Sequence, residues 1–210
     1  MRAFSIHRGV AAPIRRDNID TDIIAPMQHL LSVPLAKLGS YAFGPIRYRP
    51  DGSEDPSFVL NQDSYRHASI LVCGRNFGGG SSREAAVTAI AQLGVRVIIA
   101  PSFGDIFYGN CFKNGLLPVR LAESGMSLLM DRVEQLAGAK EIEVDLVAQR
   151  IAVPGLAPIG FEVEPGLRQR LLTGEDEIAL TLRYKAEILA YQDHDRRARP
   201  WIWDFAPVPL

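Results

Sequence analysis

Two uninterrupted apolar runs, Ile70-Leu71-Val72-Cys73 and Val95 to Ala100, bracket a segment where Ala85, Ala86, Ile90, Ala91 and Leu93 recur at helical spacing. Continuous apolar runs fit strands buried on both faces, and the stripe between them fits a helix closed by Gly94. The order predicts a β–α–β unit in a parallel sheet. Beyond it, a short helix over Asp105 to Asn114 capped by Gly115, and a strand over Leu116 to Leu121, extend the same layer. Met126, Leu129, Met130 and Val133 mark a helix from Ser124 to Leu136, and their spacing makes the methionines core residues. Ile142, Val144 and Leu146 alternate with acids and Ile151 and Val153 alternate again, which predicts a hairpin. Phe161-Glu162-Val163 adds a strand, Leu167 to Leu172 a helix, and Ala186 to Tyr191 the last helical piece. Upstream, Ser5 to Pro13 reads as one short strand interrupted by glycine, and Asp17 to Asp22 as a polar loop. Met27 to Tyr41 reads as a short helix and a mobile loop, and Gly44 to Pro56, rich in proline and charge, as loop.

Between the first strand and the first helix stands Arg75-Asn76-Phe77-Gly78-Gly79-Gly80-Ser81-Ser82-Arg83-Glu84. Three consecutive glycines let backbone amides approach a ligand with no Cβ in the way. The opening amides of a helix lack intrahelical partners and carry partial positive charge. Two hydroxyls and a guanidinium at the same point make a site for a small carboxylated molecule. Ser81 and Glu84 also fit a capping box, which needs no ligand but leaves the glycines, Ser82 and Arg83 unexplained. A phosphate loop would need lysine before the hydroxyl residue, and a dinucleotide fingerprint a glycine where Arg83 stands.

A length of 210 residues suits one domain with an appendage, here residues 1–192 and a tail 193–210. A net charge of −1 implies no nucleic-acid partner. No run approaches the length of a membrane span, and the basic N-terminus lacks the apolar core of a secretory signal. Two cysteines, Cys73 and Cys111, form no disulfide framework, and the expected location is the cytoplasm. The four histidines, His7, His29, His67 and His194, share no metal spacing, and no metal site is expected. The aromatic tail (Trp201, Trp203, Phe205) needs burial on this chain or on a partner.

Gly79-Gly80-Ser81-Ser82-Arg83-Glu84 after a buried strand, followed by Ile98 to Asn110, resembles the small subunits of 3-isopropylmalate dehydratase, the counterpart of the swivelling domain of aconitase. Asn18 to Pro26, Asn114 to Val119 and Gly174 to Leu182 resemble three further motifs of that family, in order. The resemblance implies an α/β fold, a swivelling β/β/α domain with a partly parallel central sheet like domain 4 of aconitase. It implies a hydro-lyase that dehydrates and rehydrates 2-isopropylmalate in leucine biosynthesis. It implies a large-subunit partner that holds a [4Fe-4S] cluster, since two thiols cannot supply the ligands.

By the same resemblance Ser81 is the proton-abstracting base and Asp22 its neighbouring aspartate. Ser82, Arg83 and Gly80 bind the substrate, with Arg83 gripping a carboxylate. Leu31 falls where members acting on tricarboxylic acids carry arginine, which favours an alkyl-substituted malate. Asp20 and Asp22 also suit a plain Asx-rich turn. The family commonly reads Gly-Cys-Gly-Ser-Ser-Arg-Glu-His, and Gly79 and Ala85 depart from it. That keeps open a related hydratase for citramalate or dimethylmalate, and the fold keeps open a non-catalytic anion-binding module.

Overall fold

The computed structural model describes residues 2–80 and 84–203. Among them the chain forms two four-stranded sheets. Strand β1 (Ile6–Gly9) enters one sheet and β2 (Ala11–Ile14) the other. A loop leads to short helices α1 (Thr21–Ile24) and α2 (Met27–Ser32), a 3₁₀ segment (Leu35–Tyr41) and α3 (Gly44–Arg47). Then come β3 (Ile70–Cys73), α4 (Glu84–Gln92), β4 (Val97–Ala100), α5 (Asp105–Lys113) and β5 (Leu117–Arg120). Helix α6 (Glu123–Leu136) precedes β6 (Ile142–Asp145), β7 (Arg150–Ala152), β8 (Ile159–Gly160) and α7 (Pro165–Thr173).

The parallel sheet has the order β2-β3-β4-β5 and the antiparallel sheet β1-β6-β7-β8. Every residue of β3 and β4 is buried, as the two apolar runs require. Alternation along the strands divides them between two cores. Leu71, Cys73, Ile98 and Ala100 pack with Ala86, Val87 and Ile90 of α4 on one face. Ile70, Val72, Val97 and Ile99 pack with Met126, Leu129 and Val133 of α6 and with Val144 and Ile151 of the second sheet on the other. Both edge strands of the parallel sheet carry a proline, Pro13 and Pro118, which discourages further strand pairing there.

The expected single strand over Ser5 to Pro13 is two strands in different sheets. At Gly9 the chain passes so close to Ser69 that a Cβ would lie 2.0 Å from its hydroxyl oxygen. The Val10 carbonyl then accepts the amides of Ser69 and Ile70. The strand expected at Phe161-Glu162-Val163 lies earlier, at Ile159–Gly160, because three-residue β7 exhausts its pairing with those two residues. Phe161 and Val163 are buried all the same in the second core, with their amides held by the Gln149 carbonyl and side chain. The stretches expected as loop, Leu35 to Tyr41 and Gly44 to Pro56, hold the 3₁₀ segment and α3, whose Pro45 stands in the first turn.

The chain divides into two compact units, one ending at Gly174 and one starting at Glu175. The second holds α8 (Glu177–Leu182), α9 (Lys185–Ala198) and α10 (Pro200–Trp203). Helix α9 runs seven residues past Tyr191, the expected end of the last helical piece. Its final turns carry no apolar stripe but close with ion pairs of Arg197 to Asp193 and Arg199 to Asp195. The buried Asp195 carboxylate also accepts the Trp203 indole N–H at 3.0 Å, folding α10 back on α9. Trp201, by contrast, is 68% exposed, and Phe205 lies outside the described residues.

Arg199 chiefly, aided by Trp203, holds the Asp195 carboxyl below its ordinary 3.8. A depressed folded-state value stabilises above the ordinary value and is lost as pH falls through the lower one. In a Trp201→Phe background, Trp203 fluorescence is therefore expected to red-shift only below pH 3.8. In Asp195→Ala the shifted spectrum is expected already at neutral pH.

Candidate active site at the glycine turn

Three loops leave the carboxyl ends of β2, β3 and β4, where open parallel sheets place their ligands. The middle one, after β3, is threaded between the other two like an extra rung. On one side the Arg75 amide donates to the Asp17 carboxylate at 2.7 Å, the Asn18 amide to the Arg75 carbonyl at 2.8 Å and the Gly78 amide to the Ile19 carbonyl at 2.7 Å. The Thr21 amide donates to the Gly79 carbonyl at 3.0 Å, so α1 starts against the turn. On the other side the Phe77 amide reaches the Ser102 carbonyl at 3.1 Å, and the Gly104 amide reaches the Phe77 carbonyl at 3.0 Å. Pairings Asp20 with Gly79 and Phe77 with Phe103 continue the parallel ladder past the sheet.

Phe77 anchors the rung. It is fully buried, with its ring 5.5 Å from Phe107 and 6.4 Å from Phe103, both near edge-on. Asn76 and Asn18 take left-handed backbone conformations, and the Asn76 side-chain amide donates to the Asn18 side chain at 2.9 Å. Gly78 has φ +70°, and a Cβ there would lie 2.2 Å from Cγ of Phe107. Gly104 is just as confined, since a Cβ there would come 2.5 Å from the Gly78 carbonyl oxygen. Gly78→Ala combines the conformational strain with overpacking against a buried ring and is expected to cost about 2–4 kcal/mol. Denaturant unfolding of the variant against the parent chain measures it; a cost below about 0.5 kcal/mol would mean that the turn is not held as described.

Gly80 closes the described part of the turn with φ +88°, exposed, and a Cβ there would lie 3.6 Å from Cβ of Asp20. Gly78, Gly80, Gly104, Asp105, Ile106 and Phe107 line a cleft of about 240 Å³ there, large enough for a small diacid. Ser81, Ser82 and Arg83, on which the sequence reading placed the chemistry, lie outside the described residues. What is described is their frame: Gly80 before them and Glu84, first residue of α4, after them. The Glu84 carboxylate accepts from the Asn114 side-chain amide at 3.3 Å.

Asp22 sits exposed in the first turn of α1, two residues beyond the Asp20–Gly79 pairing, and is not among the residues that line the cleft. Asp20 acts as the cap of α1, its carboxylate accepting the Ile23 amide at 2.8 Å, so the Asx-turn reading holds for this residue. Leu31 is 84% exposed on α2 and does not line the cleft. His29, two residues earlier, stacks on Tyr41 with ring centroids 4.4 Å apart, lining a separate cavity of about 730 Å³ with Pro26, Tyr48 and Arg49. Sequence reasoning missed Gly104, Asp105 and Ile106 as cleft wall. Their only signal was position, directly after a buried strand. Cys73 and Cys111 are fully buried, and burial pushes both thiols well up. Among the described residues no group of three or more His, Cys, Asp and Glu side chains is placed to hold a metal ion, and no helix is long and apolar enough to cross a membrane.

Residues 1–124 match the family described as the Aconitase C-terminal domain. The 3-isopropylmalate dehydratase small subunit of Rhodospirillum centenum is 49% identical, over 96% of this chain and 98% of its own. That of Nitrobacter hamburgensis is 46% identical, over 96% of this chain and the whole of its own. A crystal structure of 3-isopropylmalate dehydratase from Methanocaldococcus jannaschii superposes with a TM-score of 0.62 at 27% identity, covering 89% of this chain and 99% of that one.

Proposed function

The chain belongs to the 3-isopropylmalate dehydratase small subunits, and from that premise we propose that its glycine turn supplies the proton-transfer half of a hydro-lyase site completed by a large subunit. The reaction isomerises 2-isopropylmalate to 3-isopropylmalate by loss and return of water, a step of leucine biosynthesis. The observation that carries the reading is the stitched rung Phe77–Gly80, whose glycines Gly78 and Gly80 line an open cleft at the sheet's carboxyl edge.

Ser81 is the base that takes the carbon-bound proton next to the hydroxyl-bearing carbon, and it returns a proton in the rehydration half. A serine hydroxyl is a weak base, and it needs donors and positive charge to stabilise the alkoxide. The Gly79 and Gly80 amides, the start of α4 and Arg83 provide them. Arg83 grips a substrate carboxylate through a bidentate fork, and Ser82 and the Gly80 backbone hold the same end. Asp22, two residues past the Asp20–Gly79 pairing, orients Ser81. Leu31, exposed on α2 and outside this chain's own cleft, meets the alkyl group only in the site completed by the large subunit.

The cysteines of this chain do not fit a [4Fe-4S] cluster: they are two, buried in separate elements and held as thiols. We place the cluster on the large subunit, where it supplies Lewis acidity for departure of the hydroxyl. Every role assigned to this chain is binding, orientation or proton transfer.

A substrate panel on the two-subunit complex tests the specificity. 2-Isopropylmalate is expected to be dehydrated with kcat/KM at least about tenfold above citramalate and dimethylmalate, the size of preference that a few methylenes in a pocket confer. The reverse order would assign the chain to a related hydratase, as Gly79 and Ala85 would then explain.

A further inference from the structure

At the amino edge of the parallel sheet, opposite the glycine turn, Arg2, His7 and Arg96 converge on a small cavity. The strands bring them there for reasons that are legible in the fold. His7 lies on β1, and its Nε2 is 2.8 Å from the Ser69 hydroxyl, just ahead of β3. Arg96 stands just ahead of β4, and its amide donates to the Ser69 carbonyl at 2.8 Å. The Arg96 guanidinium lies over the Phe4 ring, 5.6 Å from its centroid, which fixes its direction before any ligand arrives. The cavity measures about 120 Å³.

Its charge is one-sided. Among the described residues neither Arg2 nor Arg96 has an acid within ion-pairing distance, whereas most other arginines of the first unit are paired. Burial lowers the affinity of Arg96 for its proton, and Arg2 lowers it further. Burial first, then Arg96 and Arg2, also press His7 below its ordinary 6.5, opposed by the more distant Glu141. Crowding like charges in a half-buried pocket costs energy that a bound anion would recover.

We propose that Arg2, His7 and Arg96 form a binding site for one oxyanion group, a phosphate or sulfate dianion, remote from the catalytic cleft, with Ser69 holding His7 from behind. The volume fits a single tetrahedral group rather than a nucleotide. The two guanidiniums offer the fork geometry that oxyanions accept, and His7, its Nε2 held by the Ser69 hydroxyl, adds a short-range donor once protonated. Binding draws a proton onto His7, because the anion favours the imidazolium over the neutral ring. Affinity for sulfate, which does not itself titrate in this range, therefore rises as pH falls from neutrality through the range in which His7 takes up its proton. The groups facing His7 in this balance are Arg2 and Arg96 against protonation and Glu141 in favour.

The test is an NMR titration of the full-length chain with sodium sulfate, against sodium chloride of equal ionic strength. Saturable binding of one equivalent is expected, with the His7 ring resonances moving and acetate binding more weakly. Arg96→Gln is expected to weaken sulfate binding by about tenfold or more. Arg2→Gln, on an exposed residue that leaves the Phe4 stack alone, is expected to do the same. Arg8→Gln removes the same charge from the same strand at a residue already paired with Glu143, and is expected to stay within about twofold. Inorganic phosphate against glycerol phosphate separates a free ion from a phosphate carried on a metabolite. Shifts that match chloride and never saturate, or equal weakening in Arg8→Gln and Arg96→Gln, would overturn the site.

Discussion

Ser81→Ala in the two-subunit complex is expected to lower kcat by about 10²–10⁴-fold with little change in KM, the usual cost of removing a positioned general base. That is roughly 3–5.5 kcal/mol of lost transition-state stabilisation. In the proposed role the serine Oγ acts only as the carbon–hydrogen bond breaks, so the loss would belong in kcat. The frame makes the substitution a clean one. Phe77, Gly78 and Gly79 are fixed by bonds to Ile19, Thr21 and Ser102, none of which involves the serine. Assembly with the large subunit and the stability of the chain are expected to survive. Steady-state dehydration kinetics, with gel filtration of the same sample, read both points. Unchanged turnover in an intact complex would make the turn a passive anion-binding element.

Arg83→Lys is expected to give the second large effect, a fall in kcat/KM of about 30–100-fold carried mainly by KM. Lysine keeps the charge but loses one of two parallel hydrogen bonds to the substrate carboxylate, and a hydrogen bond to a charged group contributes about 1.5–3 kcal/mol. Arg83→Ala removes the charge as well and is expected to cost more in the same parameter. An Arg83→Lys enzyme with unaltered KM would show that the carboxylate is held elsewhere, with the Gly79 and Gly80 amides as candidate donors of this chain.

What the amino-acid sequence made legible follows from where the physics is local. The runs through β3 and β4 have one reading, since only strands buried on both faces need every position apolar, and both cores turned out to share them residue by residue. The glycine turn was legible because three consecutive glycines ahead of a helix start are a local pattern, although the contact with Phe107 that confines Gly78 shows only in the fold. The break at Gly9 was not, since the contact that forces it, with Ser69, is sixty residues away in the chain. Helix α9 was cut short because its last turns are stabilised by ion pairs and the Asp195–Trp203 bond rather than by an apolar stripe. The cleft wall at Asp105 and Ile106 and the cationic pocket at Arg2, His7 and Arg96 share one cause of concealment. Each is assembled from exposed or half-exposed side chains that carry no period.

The two sites also sit at opposite edges of one sheet, which makes their behaviour separable. Sulfate at the amino edge reports on Arg96 in the chain alone, while the glycine turn is silent until its partner arrives.

The most direct measurement is therefore dehydration of 2-isopropylmalate, followed as appearance of the unsaturated diacid, with this chain alone, the cluster-bearing large subunit alone, and the two mixed. Turnover is expected only in the mixture, rising with this chain until the large subunit is saturated. Turnover by either polypeptide alone at the rate of the mixture would contradict a site divided between them.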